Sequence, residues 1–275
     1  TISGGRLKVL NLRSLMKDVF AIKKTDSDHL EGAFYYPELG FGEIFNALGA
    51  KIGPANIFLN KKVCNVYHDN NKILSFTDNS GENNLVNNLV YTAPIDELVK
   101  SLSPAPPKHI LDKLQFIKYR ELMICVIYLD LKKFSSNASI YFPDSKCPFT
   151  RIYEPKNRST KMSPIEKTCI VVEVPMGARN VKISSSKEVV YNKVLDYLEN
   201  KSLINKENII NYKLVKIKSA YPIITLDSIF HIKEIRKYLA RFINLKMIGR
   251  NSSFEYLHTH NIMERSRSLI NKMVS

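Results

Sequence analysis

The sequence predicts a mixed α/β fold, and three observations carry that prediction. Short apolar runs bounded by Asn, Asp, Gly and Pro alternate with stretches of helical period. One of those runs, residues 242–248, delivers the chain to Gly249-Arg250 and then, through small polar residues, to a helix. With 275 residues, 44% of them hydrophobic, the chain can bury a sizeable core and has the length of two lobes.

Residues 1–34 read as a helical approach, with Leu10, Leu12, Leu15, Met16, Val19 and Phe20 as its apolar positions. A helix is expected from Glu43, then strands over 57–66 and 88–94, separated by turn signals at Asp69-Asn70-Asn71 and Asp78-Asn79-Ser80-Gly81. Ser103-Pro104-Ala105-Pro106-Pro107 interrupts both helix and sheet and marks a crossover. Beyond it, 121–129 reads as a buried strand, followed by shorter strands at 138–142, 149–153 and 168–174. Residues 188–198 form an amphipathic helix with Val190, Val194 and Leu198 on one face. A strand at 212–218 is interrupted by lysines, and Ala220-Tyr221-Pro222 leads the chain back. In the last helix, Asn261 and Glu264 have the spacing of an N-cap and its reciprocal partner, while Ile262, Leu269, Ile270 and Met273 share a face. The segments 1–100, 101–218 and 219–275 follow as lobes, the middle one a mixed sheet with a covering helix.

The formal net charge is +15, which admits a nucleic-acid-binding module. Against that reading, the lysines are scattered: Lys23-Lys24, Lys61-Lys62, Lys132-Lys133, Lys213, Lys216 and Lys218 fall in different elements. A basic surface also attracts small anionic substrates. Four widely spaced cysteines, Cys64, Cys125, Cys147 and Cys169, lack any Cys-x-x-Cys or metal-ligand pattern. They read as reduced thiols, which favours a cytoplasmic setting over a disulfide scaffold. No apolar run approaches the roughly 18 residues of a membrane span.

The segment Gly249-Arg250-Asn251-Ser252-Ser253-Phe254-Glu255-Tyr256-Leu257-His258-Thr259-His260 holds the most specific chemistry. A glycine permits close backbone approach, an arginine pairs with a diphosphate, and a helix N-terminus stabilises negative charge. These parts suit a large anionic cofactor. Through Gly249, Arg250, Phe254, Tyr256 and the Met263-Glu264 helix opening, the segment resembles the C-terminal flavin-binding motif of the flavin-containing amine oxidase superfamily. That superfamily includes protoporphyrinogen oxidase-like proteins, carotenoid desaturases and, more distantly, UDP-galactopyranose mutase. His258-Thr259-His260 stands where the family has Asn-Met-Asp, and Ser266 where it often has Gly.

Other blocks follow in the family's order. Residues 34–44 are similar to its Tyr-Pro-Lys-Gly-Gly-x-Gly segment, with Glu38 and Leu39 replacing the lysine and one glycine. Residues 57–66 resemble the strand whose valine, here Val63, lies beside the FAD adenine. Residues 88–94 resemble the strand ending in Thr92-Ala93-Pro94 beneath the cofactor. Residues 149–156, 171–175 and 220–222 resemble blocks of the protoporphyrinogen oxidase-like and mutase-like members. No Gly-x-Gly-x-x-Gly follows a strand, so the resemblance implies a C-terminal fragment of a longer flavoprotein, inactive alone.

The resemblance implies part of an FAD-binding Rossmann-like lobe plus a mixed-sheet substrate lobe, with FAD as cofactor and no metal. Val63, Thr92, Ala93, Pro94, Gly249, Arg250, Phe254, Tyr256, His258 and Thr259 are the implied flavin contacts. Arg151, Tyr153 and Tyr221 are the candidate contacts to a small, anionic substrate. Each has a plainer reading: Arg151 can pair with Glu154 or another carboxylate, and the tyrosines can simply pack. His258 and His260 have acid/base chemistry, yet the resemblance implies mainly backbone contacts there. The implied activity is that of an FAD-dependent oxidoreductase, in which a substrate carbon passes hydride to the flavin N5. The alternatives are a UDP-galactopyranose mutase-like flavoenzyme acting on a nucleotide sugar and, secondly, a basic nucleic-acid-binding module. No side chain is singled out as the catalyst.

Overall fold

The computed structural model describes residues 35–178 and 181–274, so the helical approach expected over 1–34 lies outside the described residues. The fold is mixed α/β, built on two hydrophobic cores within the compact unit that begins at Pro37.

Helix α1 (Gly42–Ile52) comes first, ending at Gly53, whose φ of 85° turns the chain out of the helix. Strands β1 (Val63–His68), β2 (Ile73–Asp78) and β3 (Asn83–Leu85) form an antiparallel meander. Their turns lie where the Asp and Asn clusters predict them: Asp69 accepts from the N–H groups of Asn71 and Lys72, and Gly81 has a φ of 82°. The strand expected over 57–66 is shorter than its apolar run. Ile57, Phe58 and Leu59 are exposed, and the chain turns at Asn60 with a φ of 58° before pairing starts at Val63. Strand β4 (Leu89–Tyr91) leads to α2 (Ile95–Ser101) and β5 (Leu102–Ser103), which adds to β1 in parallel. A short α3 (Lys108–Leu111) follows.

The second layer is a five-stranded sheet. It contains β6 (Tyr119–Leu129), β7 (Ile140–Tyr141), β8 (Arg151–Tyr153), β9 (Thr168–Pro175) and β10 (Ile209–Pro222), in the order β10-β6-β9-β8-β7. Its pairing is antiparallel throughout. Period-two burial sorts its side chains onto two faces. Met123, Cys125, Ile127 and Leu129 of β6 join Ile170, Val172 and Val174 of β9 in the core. Helix α4 (Lys187–Asn200) covers that face with Val190, Tyr191, Val194 and Leu198, and Ser186 caps it through the Val189 N–H. The other face carries Leu122, Ile124 and Val126, all half-buried.

The chain then returns through α5 (Leu226–Leu239), opened by a Thr225–Ser228 capping box, to β11 (Leu245–Met247). Ile232, Ile235 and Leu239 of α5 pack with Val66, Ile73, Leu98 and Phe242 in the other core. Strand β11 pairs in parallel with β4. Helix α6 (Thr259–Val274) ends the described chain and, like α1, contains no buried residue. It starts earlier than its sequence pattern suggests: Asn261 lies inside the helix, and its side chain accepts the His258 N–H. Asn261 therefore supplies the reciprocal half of a cap, not the N-cap itself.

Candidate functional site

Parallel pairing of β4 and β11 sets the carboxyl ends of both strands side by side, the edge at which α/β sheets present ligand sites. The Ile248 N–H donates to Tyr91 O at 3.1 Å, which brings Gly249 against Thr92. A Cβ on Gly249 would lie 3.8 Å from Thr92 O, so space is not the constraint there. Its φ of 96° is, because an L side chain rarely adopts it. Thr92 and Ala93 are exposed beside it, and Pro94 opens α2.

Loop 249–257 is held tightly by its own backbone. Ser253 N–H donates to Gly249 O (3.0 Å), Glu255 N–H to Arg250 O (3.0 Å), and the buried Ser252 hydroxyl to Ile248 O (2.6 Å). Phe254 is buried edge-on against Tyr119. The Tyr119 hydroxyl donates to Asn251 O at 2.9 Å and accepts the Ile95 N–H at 3.2 Å, tying α2, β6 and the loop together. Burial keeps that phenol protonated well above its ordinary range. Asn251 Nδ2 donates to Ser219 O (2.8 Å), while Asn251 Oδ1 is buried with no hydrogen-bond partner in the structure.

Arg250, the expected diphosphate partner, is directed to backbone carbonyls instead. Its Nε and Nη2 donate to Leu257 O at 3.2 and 2.7 Å, and Nη1 reaches Ala220 O at 3.5 Å. Its guanidinium lies over the Tyr256 ring, 5.0 Å from the centroid. Tyr256 in turn meets Tyr221 and His258 edge-on, and His258 is stacked parallel to His260 at 5.7 Å. Thr259 is the first residue of α6. Thus Thr92, Ala93, Pro94, Gly249, Arg250, Phe254, Tyr256, His258, Thr259 and Tyr221 fall in one neighbourhood. Val63 stands apart from them, at the exposed start of β1 in the four-stranded sheet.

Arg151 and Tyr153 occupy the open face of the five-stranded sheet. Arg151 pairs across strands with Glu173, Nε to Oε2 at 3.0 Å and Nη2 to Oε1. Glu154, the nearer acid in sequence, is buried and faces other loops. Tyr141 and Tyr153 lie against the guanidinium at 5.9 and 5.3 Å. Burial works against its charge, but the Glu173 hydrogen bonds prevail and raise its pKa further. Tyr221 shares this face, opposite Arg120 at the far end of β6. Strand spacing and rise put it on the order of 20 Å from Arg151.

Sequence reasoning missed Glu173, Tyr119 and Asn251. Glu173 had a visible signal, a lone acid inside the apolar run Val171–Pro175. Among the described residues no group of three or more His, Cys, Asp or Glu is placed to hold a metal ion, and no helix is long and apolar enough to cross a membrane.

The family model for UDP-galactopyranose mutase matches residues 35–206. Among solved structures, reduced UDP-galactopyranose mutase superposes with a TM-score of 0.68 at 17% identity, over 80% of this chain and 48% of the other. A protein of Exiguobacterium sp. 255-15, provisionally named a protoporphyrinogen oxidase, gives 0.66 at 15% identity over 86% and 51%. Putrescine oxidase bound to putrescine gives 0.57 at 12% over 85% and 53%. The chain spans about half the length of these structures. No curated protein matches it.

Proposed function

The chain belongs to the UDP-galactopyranose mutase family, and on that premise we propose that it supplies a flavin-contacting loop and a substrate face to an FAD-dependent enzyme. The observation that carries this reading is Gly249, held at a φ of 96° beside exposed Thr92 at the carboxyl ends of two parallel strands. The residues fit such a group. The exposed Thr92-Ala93 backbone admits close approach, and the orphaned Asn251 Oδ1 can accept a hydrogen bond. Thr92, Ala93, Pro94, Gly249, Tyr256, His258 and Thr259 are the residues that would hold it. Val63 belongs to the proposal only as a more distant contact. Bound FAD would supply the hydride acceptor, or the reduced nucleophile, of the reaction. Arg250 keeps the loop and the end of β10 together, so its role is to shape the site as much as to meet a phosphate.

The open sheet face would lie over the substrate. Leu122, Ile124 and Val126 exclude water there, and Arg151 and Tyr153 bound one edge of it. Hydride transfer from substrate to flavin N5 suits the apolar middle of this face, since Arg151 beside it is already neutralised by Glu173. Nucleotide-sugar isomerisation is the second reading. The family match favours it, as does the distance between Arg151 and Tyr221, which only an elongated ligand could span. The lobes 1–100, 101–218 and 219–275 are part of the same proposal, supported by the two separate cores.

One assay separates the chemistries. The natural protein is incubated with candidate oxidisable substrates and an electron acceptor, and, after reduction, with UDP-sugars. Substrate-dependent consumption of the acceptor supports hydride transfer; isomerisation without it supports the mutase. A protein that holds no flavin but binds nucleic acid in a salt-sensitive way overturns both, in favour of a basic binding module.

A further inference from the structure

The strand that presents Arg151 and Tyr153 runs directly into Glu154-Pro155-Lys156-Asn157, and these residues serve neither cofactor nor substrate in the reading above. Glu154 is 1% exposed. Its Oε1 accepts from the Phe134 N–H (3.0 Å) and the Thr168 hydroxyl (2.6 Å), and its Oε2 from the Ser135 N–H (2.9 Å) and Asn157 Nδ2 (3.2 Å). Asn157 Nδ2 also donates to Ser135 O (2.7 Å) and Asn137 O (3.0 Å). Lys156 is the most telling of the group. Its Nζ lies 2.7 Å from Ile165 O, 2.8 Å from Pro164 O, 2.9 Å from Lys167 O and 3.0 Å from Lys132 O.

Two loops, one after β6 and one before β9, therefore converge on this corner. The carboxylate collects two N–H groups of the first loop and the Thr168 hydroxyl where the second ends, and the ammonium collects carbonyls of both. An ammonium has three protons for these four acceptors, so the geometry is set by charge as well as by individual hydrogen bonds. Four inward-turned carbonyl dipoles repel one another unless a cation sits among them. Backbone carbonyls likewise replace the hydration shell of a potassium ion in selectivity filters, where they form complete rings. The neighbouring charges are already matched, with Lys132 near Glu166 (3.7 Å) and Lys167 near Asp130 (3.9 Å).

We propose that Lys156 is a positioning residue whose ammonium is the built-in ion of a monovalent-cation cage. It joins the loop containing Lys132 to the segment 164–167 and to the end of β8, and so fixes the strand that aims Arg151. With the side chain cut back, the same four carbonyls accept a potassium or ammonium ion from solution. The cage stands without the flavin reading, and its test uses no cofactor.

Thermal unfolding of the purified protein and of Lys156→Ala is compared in LiCl and KCl at equal ionic strength. The parent protein unfolds at the same temperature in both salts. Lys156→Ala unfolds about 5 °C lower in LiCl, the shift expected when a few hydrogen bonds are lost from a unit of this size. It recovers most of that loss in KCl or NH4Cl. Lys156→Met, whose side chain fills the cage without a charge, stays low in every salt. A Lys156→Ala protein as stable as its parent, or equally low in LiCl and KCl, overturns the proposal. Should that variant not fold, the parent decides: the cage predicts one slowly exchanging lysine ammonium in 15N spectra, missing in Lys156→Met. A spectrum with no protected ammonium refutes it.

Discussion

Helix α4 buries four residues of its apolar stripe, whereas α1 and α6 bury none. All three have amphipathic sequences, so the difference lies in what each one faces. Beneath α4 lies one full face of a five-stranded sheet, with the fully buried Cys125, Ile127, Phe149, Ile152 and Val172. Phe45 and Ile52 of α1 are more than half exposed, and so is Ile270 of α6. The comparison teaches that a helical hydrophobic period announces a face that seeks cover; it does not say where the cover is. It also divides the molecule by energetic character, a closed sheet-and-helix core on one side and a loop site that runs into the uncovered α6 on the other.

The largest expected effect sharpens this contrast. Phe149→Ala should cost about 3–5 kcal/mol in denaturant unfolding, as a fully buried aromatic does. Phe45→Ala should change stability by no more than about 0.5 kcal/mol, as exposed substitutions do. Equal losses would mean that α1 is covered after all. Next in size is Arg250→Met, which removes the ties to Leu257 O and Ala220 O and should cost about 2 kcal/mol. Gly249→Ala should cost about 1 kcal/mol or more, because the replacement is strained at its positive φ. Unchanged stability in both variants would show that the loop does not depend on these ties.

A smaller effect concerns the meander. Lys61, with help from Ser80, holds the Asp78 carboxyl far below the usual carboxylate range. A depressed folded pKa gives stability that is present above the unfolded value, about 3.9, and is lost as pH falls further. Lys61→Met should therefore move the onset of acid unfolding to higher pH, read by circular dichroism. An unmoved onset would remove Asp78 from the account. The smallest effect is chemical. Burial pushes the Cys125 thiol up to about 12, and Cys147 is buried too, whereas Cys64 is exposed. Under native conditions a thiol reagent should label Cys64 quickly and Cys125 and Cys147 only on unfolding; rapid labelling of Cys125 would contradict its place in the core.

Much of this was legible in the sequence where the pattern is local. The strand expected over 168–174 and the helix over 188–198 differ from β9 and α4 by one or two residues at their ends, because period and capping reside in the segments themselves. The run at 57–59 misled because hydrophobicity alone does not require a strand, and those side chains lie exposed before the turn at Asn60. Thr92 and Gly249 were expected at one cofactor only through the family resemblance; their adjacency comes from the parallel pairing of β4 and β11. The Arg151–Glu173 pair did not: it spans 22 residues and depends on cross-strand register. Lys156 closes the block 149–156, but the carbonyls around it belong to backbone, which has no signature in the side-chain sequence.

The most direct test of the central claim is the absorbance spectrum of the natural protein after desalting, beside that of its Gly249→Val variant. The account predicts flavin bands in the parent and their loss from a folded variant, since a β-branched residue cannot take the glycine's conformation without distorting the loop beside Thr92. A colourless parent that also fails to take up added FAD would contradict it.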